Sequence, residues 1–541
     1  MGADTGHLPD AIAEWRSVLG DAAVDARAET LARYGRSTNP AGRAPSCVLR
    51  LRGRDDVAAA LRIANKYEQP VHPIARGKNW GYGDACPPVD GCVLLDLSGM
   101  DRIHEVNAEL GYVVIEPGVS QGQLFETLQR EVPQFWMDAT GAGPDASVVG
   151  NALQRGFGHT AYADHVRSMC GLEVVLADGT VLNTGFGRFE NARSARVFPY
   201  GLGPHLDGLF TQSNLAIVTK VGLWLQPKPE AFAFFWIKVK GVEVLPRLVD
   251  ALRPLRMSGV LRSALHIGND LRVISAARAY PWQETGGAAP LPQAERARLR
   301  DEIGCGDWNV SGSIVGTPVE VRDGARRLRA AVRGLGRVVV LNDRRMAWLR
   351  RASGLLAGLG LAKGLRMAIV ALEENYSLLQ GRPNFGPLKG MLWRVRERDA
   401  APPRDLLDTN AGLLWAAPVL PLRGADAQEL LGIAEPILAR HGFDPLVTFT
   451  MLNERAMVCI MNISFDKTLP EEAQAATLCQ TELKGALAAQ GFYPYRASSL
   501  NHAAWFRDGD AYNNFCAKLK HAVDPKGIIS PGLYFPEGPA S

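Results

Sequence analysis

The chain has 541 residues, with Lys+Arg 60 against Asp+Glu 56 and a formal net charge of +4. Hydrophobic residues make up 47% and charged residues 21%, which excludes a disordered chain, and the near balance of charge argues against a nucleic-acid binder held by phosphate contacts. No apolar run approaches the ~18 residues of a bilayer-spanning helix, and residues 1–6 carry no basic stretch leading into an apolar core, so a soluble cytoplasmic protein of two or more domains is expected.

In chain order, residues 47–51 read as a strand and 54–67 as an amphipathic helix, with apolar positions at Val57, Ala60, Leu61 and Ala64. A second strand at 71–75 is followed by a glycine-rich loop and by strands at 93–97 and 112–116. Helical spacing returns over 119–130, with Ser120 as N-cap. Strands and helices interleave, so the class is α+β. From about 230 to 490 the texture changes: a strand at 231–239, a helix at 245–255, then Arg- and Ala-rich helices at 293–300 and 322–333. Acidic residues intersperse the last two, which makes them solvated faces, not a nucleic-acid or partner surface. Gly354, Gly358, Gly360 and Gly364 lack the preceding strand and turn of a dinucleotide fingerprint and read as tight helix packing or a loop. A strand is expected over 449–460. The last fifty residues return to the texture of the first region. The expected organisation is therefore a first domain over 1–228, a second inserted over 229–489, and a closing segment over 490–541 that completes the first.

The eight cysteines form no CxxC pair and no zinc-ligand spacing, so neither a disulfide framework nor a metal site is expected. The run Arg76-Gly77-Lys78-Asn79-Trp80-Gly81-Tyr82-Gly83 directly follows a strand. Its glycines permit positive φ and let backbone N–H groups converge, a nest suited to pyrophosphate; a plain glycine-rich turn is the alternative. It matches neither the Walker pattern nor GxGxxG. A second segment, Ser147-Val148-Val149-Gly150-Asn151 continuing to Arg155-Gly156-Phe157-Gly158-His159, would lay backbone against a flat or phosphorylated ligand. A third runs over 212–220. His159, Asp164 and His165 invite a triad or metal reading, but their spacing fits no common metal site, and hydrogen bonding and packing are expected of them.

The order of these segments, joined by 114–119, 173–179, 198–201, 208–210 and the closing 524–532 run, resembles the vanillyl-alcohol oxidase / p-cresol methylhydroxylase family of flavoproteins. The resemblance implies a two-subdomain FAD-binding domain plus an α+β cap over the isoalloxazine. It also implies FAD contacts from Ile74, Arg76, Gly77, Lys78, Asn79, Trp80, Gly83, Pro117, Gly118, Ser147, Gly150, Asn151, Gly156, Gly158, Tyr162, Ile217, Val218 and Arg496. In that family two Tyr hydroxyls and an Arg hold a para-substituted phenol as its anion, and the matching residues are Tyr82, Tyr495 and Arg496. Ionising the phenol puts electron density on the ring, so hydride loss from the para carbon leaves a neutral quinone methide in place of a bare benzylic cation. Trp415 is expected to line the phenol pocket, and Arg455 either to pair with a side-chain carboxylate of the substrate or to sit as an edge charge.

Two departures matter. The stretch 405–415, where relatives tether FAD, contains neither His nor Tyr, so non-covalent FAD is expected. The loop 137–145 is one residue longer, and its Asp does not align with the base that guides water onto the quinone methide. Alcohol or alkyl oxidation with water addition, desaturation, and oxidative decarboxylation of a tyrosine-derived phenolic acid all stay open, as does a flavin-binding protein without turnover. Molecular oxygen or another acceptor and a homodimeric assembly complete the expectations.

Overall fold

Apolar runs at Cys47–Arg50, Val93–Asp96 and Val71–Ile74 pair in parallel, in that spatial order, with Val24–Asp25 antiparallel at the edge. Parallel neighbours need a crossover, and helix Arg54–Lys66 supplies it. Val57, Ala60, Leu61 and Ala64 are its buried face, with Trp15 of helix Leu8–Leu19 packed alongside and donating Nε1–H to Ala60 O at 3.1 Å. The computed structural model describes residues 7–358, 363–398, 401–500, 502, 505–506 and 510–535, without the side chains of 353–368. Gly360 lies outside the described residues; helices Asp343–Gly358 and Lys363–Leu378 take in Gly354, Gly358 and Gly364.

A second sheet is antiparallel, in the order Ile103–Asn107, Tyr112–Ile115, Ile217–Trp224, Met169–Val175, Val181–Asn183. Helix Gln121–Glu131 packs on it, opened by Ser120, whose hydroxyl accepts Gln123 N–H at 3.1 Å. The chain then builds an eight-stranded antiparallel sheet. Ala231–Val239 and Trp308–Gly316 pair over their full lengths, and Leu265–Asn269, Val447–Met451, Ala456–Asp466 and Ala411–Ala416 continue the ladder. Helices Leu245–Met257, Pro318–Ala331, Gly424–Arg440 and Pro470–Ala489 cover one face and close the largest core, where each fully buried Leu or Phe contributes about 1.5–3 kcal/mol.

The strand period of two decides what the opposite face shows. Leu265, Ile267, Val447, Phe449, Met451, Cys459 and Met461 enter that core. Their alternates His266, Thr448, Thr450, Ile460 and Asn462 therefore look the other way, and the register sets His266 against Thr450 and Thr448 against Ile460. The strand expected over 449–460 is in fact a hairpin. Asn453 Oδ1 accepts the N–H groups of Arg455 at 2.9 Å and Ala456 at 2.8 Å, a side-chain-closed turn that ends the first strand at Met451.

The end of the chain returns to the first sheet, where Val71 N–H donates to Ile528 O at 2.8 Å and Ser530 N–H to Val71 O at 2.7 Å. All eight cysteines are buried and free. Among the described residues no group of His, Cys, Asp and Glu is arranged to hold a metal, and no helix is long and apolar enough to cross a membrane. The Arg-rich helices carry solvated charge: Arg298 pairs with Glu295 and Glu302, and Arg326 with Asp323.

Candidate active site

A cavity of about 410 Å³ lies between the first two sheets and the open face of the third. One wall is the loop after Val71–Ile74. Gly77, Gly81 and Gly83 have φ of +65°, +74° and +111°, so the loop folds back on itself. Among the described residues the amides of Gly77, Lys78, Asn79 and Trp80 find no acceptor, while Gly81 N–H donates to Thr38 Oγ1 and Tyr82 N–H to Asn79 O. Three of these free amides, at Lys78, Asn79 and Trp80, belong to residues that line the cavity, and consecutive free amides suit an anionic pyrophosphate. The Arg76 side chain pins the loop from behind, donating to Asp145 O at 2.7 Å and Gly118 O at 3.0 Å. Asp405 clasps it from the third sheet's side, taking an ion pair from Lys78 and Trp80 Nε1–H at 3.0 Å.

Ser147, Gly150, Asn151, Gly156, Ile217 and Val218 line the cavity with Ile74, Lys78, Asn79, Trp80 and Pro117. His165 holds Asn151 in place, with Nδ1 2.8 Å from Asn151 Oδ1 and Nε2 2.6 Å from Asp138 Oδ2. Arg76, Gly77, Gly83, Gly118, Gly158 and Tyr162 were expected at the ligand and do not line the cavity. Several of them shape it instead. A Cβ on Gly118 would lie 2.5 Å from Ser98 O, and one on Gly158 1.8 Å from Asp138 Oδ2.

At the inner end Tyr82 and Tyr495 meet edge to face at 6.5 Å, Trp415 stacks on Tyr82 at 6.3 Å, and the Arg496 guanidinium sits 3.7 Å from the centre of the Tyr82 ring. Trp415 donates Nε1–H to Trp80 O at 2.8 Å and fills the space a side chain at Gly81 would need, since a Cβ there would approach the indole to 2.4 Å. Burial, and then the neighbouring Tyr495, push the Tyr82 phenol well above 10, so it remains a neutral donor. Burial works against the Arg496 cation, but the two facing phenol oxygens outweigh it and raise its pKa. Arg496 lines the cavity, and its Nε is buried with no partner among the described residues, a donor that a bound group's acceptor would satisfy. A flavin with its electron-rich carbonyl edge and pyrophosphate therefore fits both ends of this cradle.

The third sheet closes the cavity with His266, Arg272, Thr448, Thr450 and Ile460. Sequence reasoning missed these. They come from ordinary alternating strands and a short helix, with no local pattern to set them apart. His159 lies with its ring 4.7 Å from that of His266. Burial lowers both imidazoles, His266 well below 6.5. Arg455 belongs elsewhere: it is exposed in the 452–455 turn and does not line the cavity, which leaves the edge-charge reading. Asp138 is buried and fully engaged. It accepts the amides of His159 and Thr160 as well as the His165 bond, and these contacts overcome the upward push of burial and hold its carboxyl below 3.8.

Asp84 is the one carboxylate among the described residues lining the cavity, and it is tied to the hydroxyls of Ser37 and Thr38. Burial lifts its carboxyl from 3.8 to about 6. The folded state thus holds this proton more tightly than the unfolded chain does. Its contribution favours folding below pH 4 and is lost as pH rises to 6, by up to about 3 kcal/mol. Denaturant titrations from pH 4 to 6 are expected to show that component in the wild type and not in Asp84→Asn.

An FAD binding domain family model matches residues 45–185. The 1'-carboxy-chondrochloren decarboxylase of Chondromyces crocatus is 33% identical over 535 residues, 98% of either chain. The solved p-cresol methylhydroxylase with substrate bound superposes with a TM-score of 0.88 at 29% identity, covering 98% of this chain and 97% of that one. The 4-ethylphenol oxidase of Gulosibacter chungangensis, solved with isoeugenol, gives 0.89 at 28% identity over 100% and 99%. With likeness in sequence and fold over the whole length, and a cavity built for a flavin, the chain belongs to the vanillyl-alcohol oxidase / p-cresol methylhydroxylase family of FAD-dependent oxidoreductases.

Proposed function

We propose that this enzyme removes a hydride from the carbon attached to the ring of a para-substituted phenol. The observation that carries the reading is the meeting of Tyr82, Tyr495 and Arg496 at the inner end of the flavin-sized cavity. Two phenolic donors and a buried guanidinium favour a bound phenolate over the neutral phenol, because charge in a dry site is held by preorganised donors. Trp415 and Phe157, the latter 5.5 Å from Tyr495, keep water from the ring. Bound FAD supplies the hydride acceptor. The remaining work, holding the anion and aligning its para carbon, falls to the chain.

Anaerobic mixing with 4-ethylphenol is expected to bleach the flavin absorbance. If no 4-alkylphenol or phenolic acid does so, the enzyme reading is rejected in favour of a flavin-binding protein without turnover. The FAD is held non-covalently in this reading, supported by the lack of His and Tyr in 405–415. Acid precipitation is expected to leave a white pellet and all the yellow colour in the supernatant.

Oxidative decarboxylation is the second reading for the fate of the oxidised substrate. It is favoured because Asp84 and Asp138 are both engaged, so no free carboxylate among the described residues is placed to activate water. In a 3-(4-hydroxyphenyl)propanoate side chain, hydride leaves the ring-bound carbon and a quinone methide results. The bond to the carboxylate then breaks, its electron pair forms the new C=C bond and restores the phenolate, and carbon dioxide departs. The product mass distinguishes this from a gain of oxygen or a loss of two hydrogens alone.

A further inference from the structure

A second cavity, of about 520 Å³, adjoins the first and shares His159, His266, Arg272, Pro387 and Thr448 with it. It lies over the same open sheet face, and its lining is different in kind. Trp236, Val273, Ala276, Leu341, Leu372 and Leu378 make much of the wall. The carboxylate of Glu374, also in the wall, is bonded to Lys389. A void of this size, with much of its wall apolar, falls in the range of sites that take a drug-sized apolar group.

Arg272 stands where the two cavities join. Its backbone N–H is held by the Asn269 cap at 3.0 Å, and its guanidinium makes one hydrogen bond, to Asn462 Oδ1 at 3.3 Å. No carboxylate among the described residues comes within ion-pair distance of it. The bare backbone of Gly390 makes room, since a Cβ there would lie 3.0 Å from Arg272 Nη1. Burial lowers this guanidinium to about 10, so it is still a cation at neutral pH. An enclosed cation without a counter-ion is costly unless a ligand supplies one.

We infer that the adjoining cavity is a subsite for a long alkyl or acyl substituent on the phenol's side chain, and that Arg272 at its neck pairs with a carboxylate carried on that side chain. The inference rests on the phenol reading for the position of the ring. The natural substrate class is then a phenolic acid with a hydrocarbon tail. The ring goes to Tyr82, Tyr495 and Arg496, the carboxylate to Arg272, and the tail past Thr448 into the apolar wall.

Probes without a hydrogen on the para carbon separate binding from oxidation. N-(4-hydroxybenzoyl)-alanine, N-(4-hydroxybenzoyl)-2-aminododecanoate and their methyl esters serve, with Kd measured calorimetrically on the FAD-loaded protein. The dodecanoate is expected to bind about a hundredfold more tightly than the alanine probe, and each acid about tenfold more tightly than its ester. Ala276→Phe and, as an independent block, Leu372→Trp are expected to bring the tail-length gain below about tenfold. Arg272→Met is expected to erase the acid-over-ester preference, and Arg272→Lys to restore part of it. Equal affinity of the wild type for long and short probes overturns the subsite, and an acid preference that survives in Arg272→Met overturns the anchor. Failure of every 4-alkylphenol and phenolic acid to bleach the flavin would instead strike the oxidation reading and leave the Kd series to stand or fall separately.

Discussion

Replacing Tyr495 by Phe is expected to slow anaerobic flavin reduction by about 10²–10³-fold, the loss typical of deleting one preorganised donor to a developing or stabilised oxyanion. The Tyr495 ring is packed between Tyr82 and Phe157, its amide donates to Ala417 O at 3.1 Å, and its carbonyl accepts from Gln212 Nε2 at 2.9 Å. The variant keeps all of these and loses one hydroxyl. Stopped-flow reduction traces measure the rate, and retained flavin absorbance shows that the cofactor stays bound. Reduction at the wild-type rate would remove Tyr495 from the mechanism. Because Arg496 stays in place, the deficit should be partly offset by phenols that ionise more readily.

The second large effect concerns the closing segment of the chain. Asp524→Ala is expected to cost about 3–5 kcal/mol of stability, the usual result of removing one partner of a buried ion pair. Asp524 is buried, pairs with Lys520 at 2.6 Å, and accepts the amides of Ile528 and Ile529 at 3.0 and 2.9 Å. Lys520 also donates to Asn214 O and Ile529 O. Removal of the carboxylate leaves a buried ammonium among carbonyls and two amides without their acceptor. These are the bonds that deliver Ser530 to Val71 at the edge of the first sheet, beside His72, whose Nδ1 is 2.9 Å from Ser530 Oγ. The midpoint of urea unfolding, with and without added FAD, measures the loss. A shift worth under about 1 kcal/mol would show that the amides and carbonyls alone hold the tail.

Much of the flavin cradle was readable before any fold was known. The loop 76–83 has its glycines where φ is positive, and Ser120 and Ser147 are found at the helix starts where each accepts an amide three residues on. These are local features. Each depends on residues close in sequence, so composition and spacing carry them. Arg76 shows the limit even there. The resemblance implied an FAD contact for it, yet its side chain is bonded to the carbonyls of Asp145 and Gly118 behind the loop, partners distant in sequence.

The substrate side was hidden for a different reason. His266 and Thr450 touch at 3.1 Å across 184 residues of chain, and they do so because paired strands put them on one face. A slip of one residue in either strand would turn its member of the pair into the core. Arg455 illustrates the converse: placed by pattern in a continuous strand, it was turned outward by the Asn453 turn. What the sequence alone determined is the cofactor class and the glycine loop, and it named Tyr82, Tyr495 and Arg496, which the structure brings together, since contiguous loops and a family resemblance specify them. That Arg272 and not Arg455 lines the cavity, and that an apolar cavity adjoins it there, was decided by sheet register and helix placement, which depend on long-range pairing.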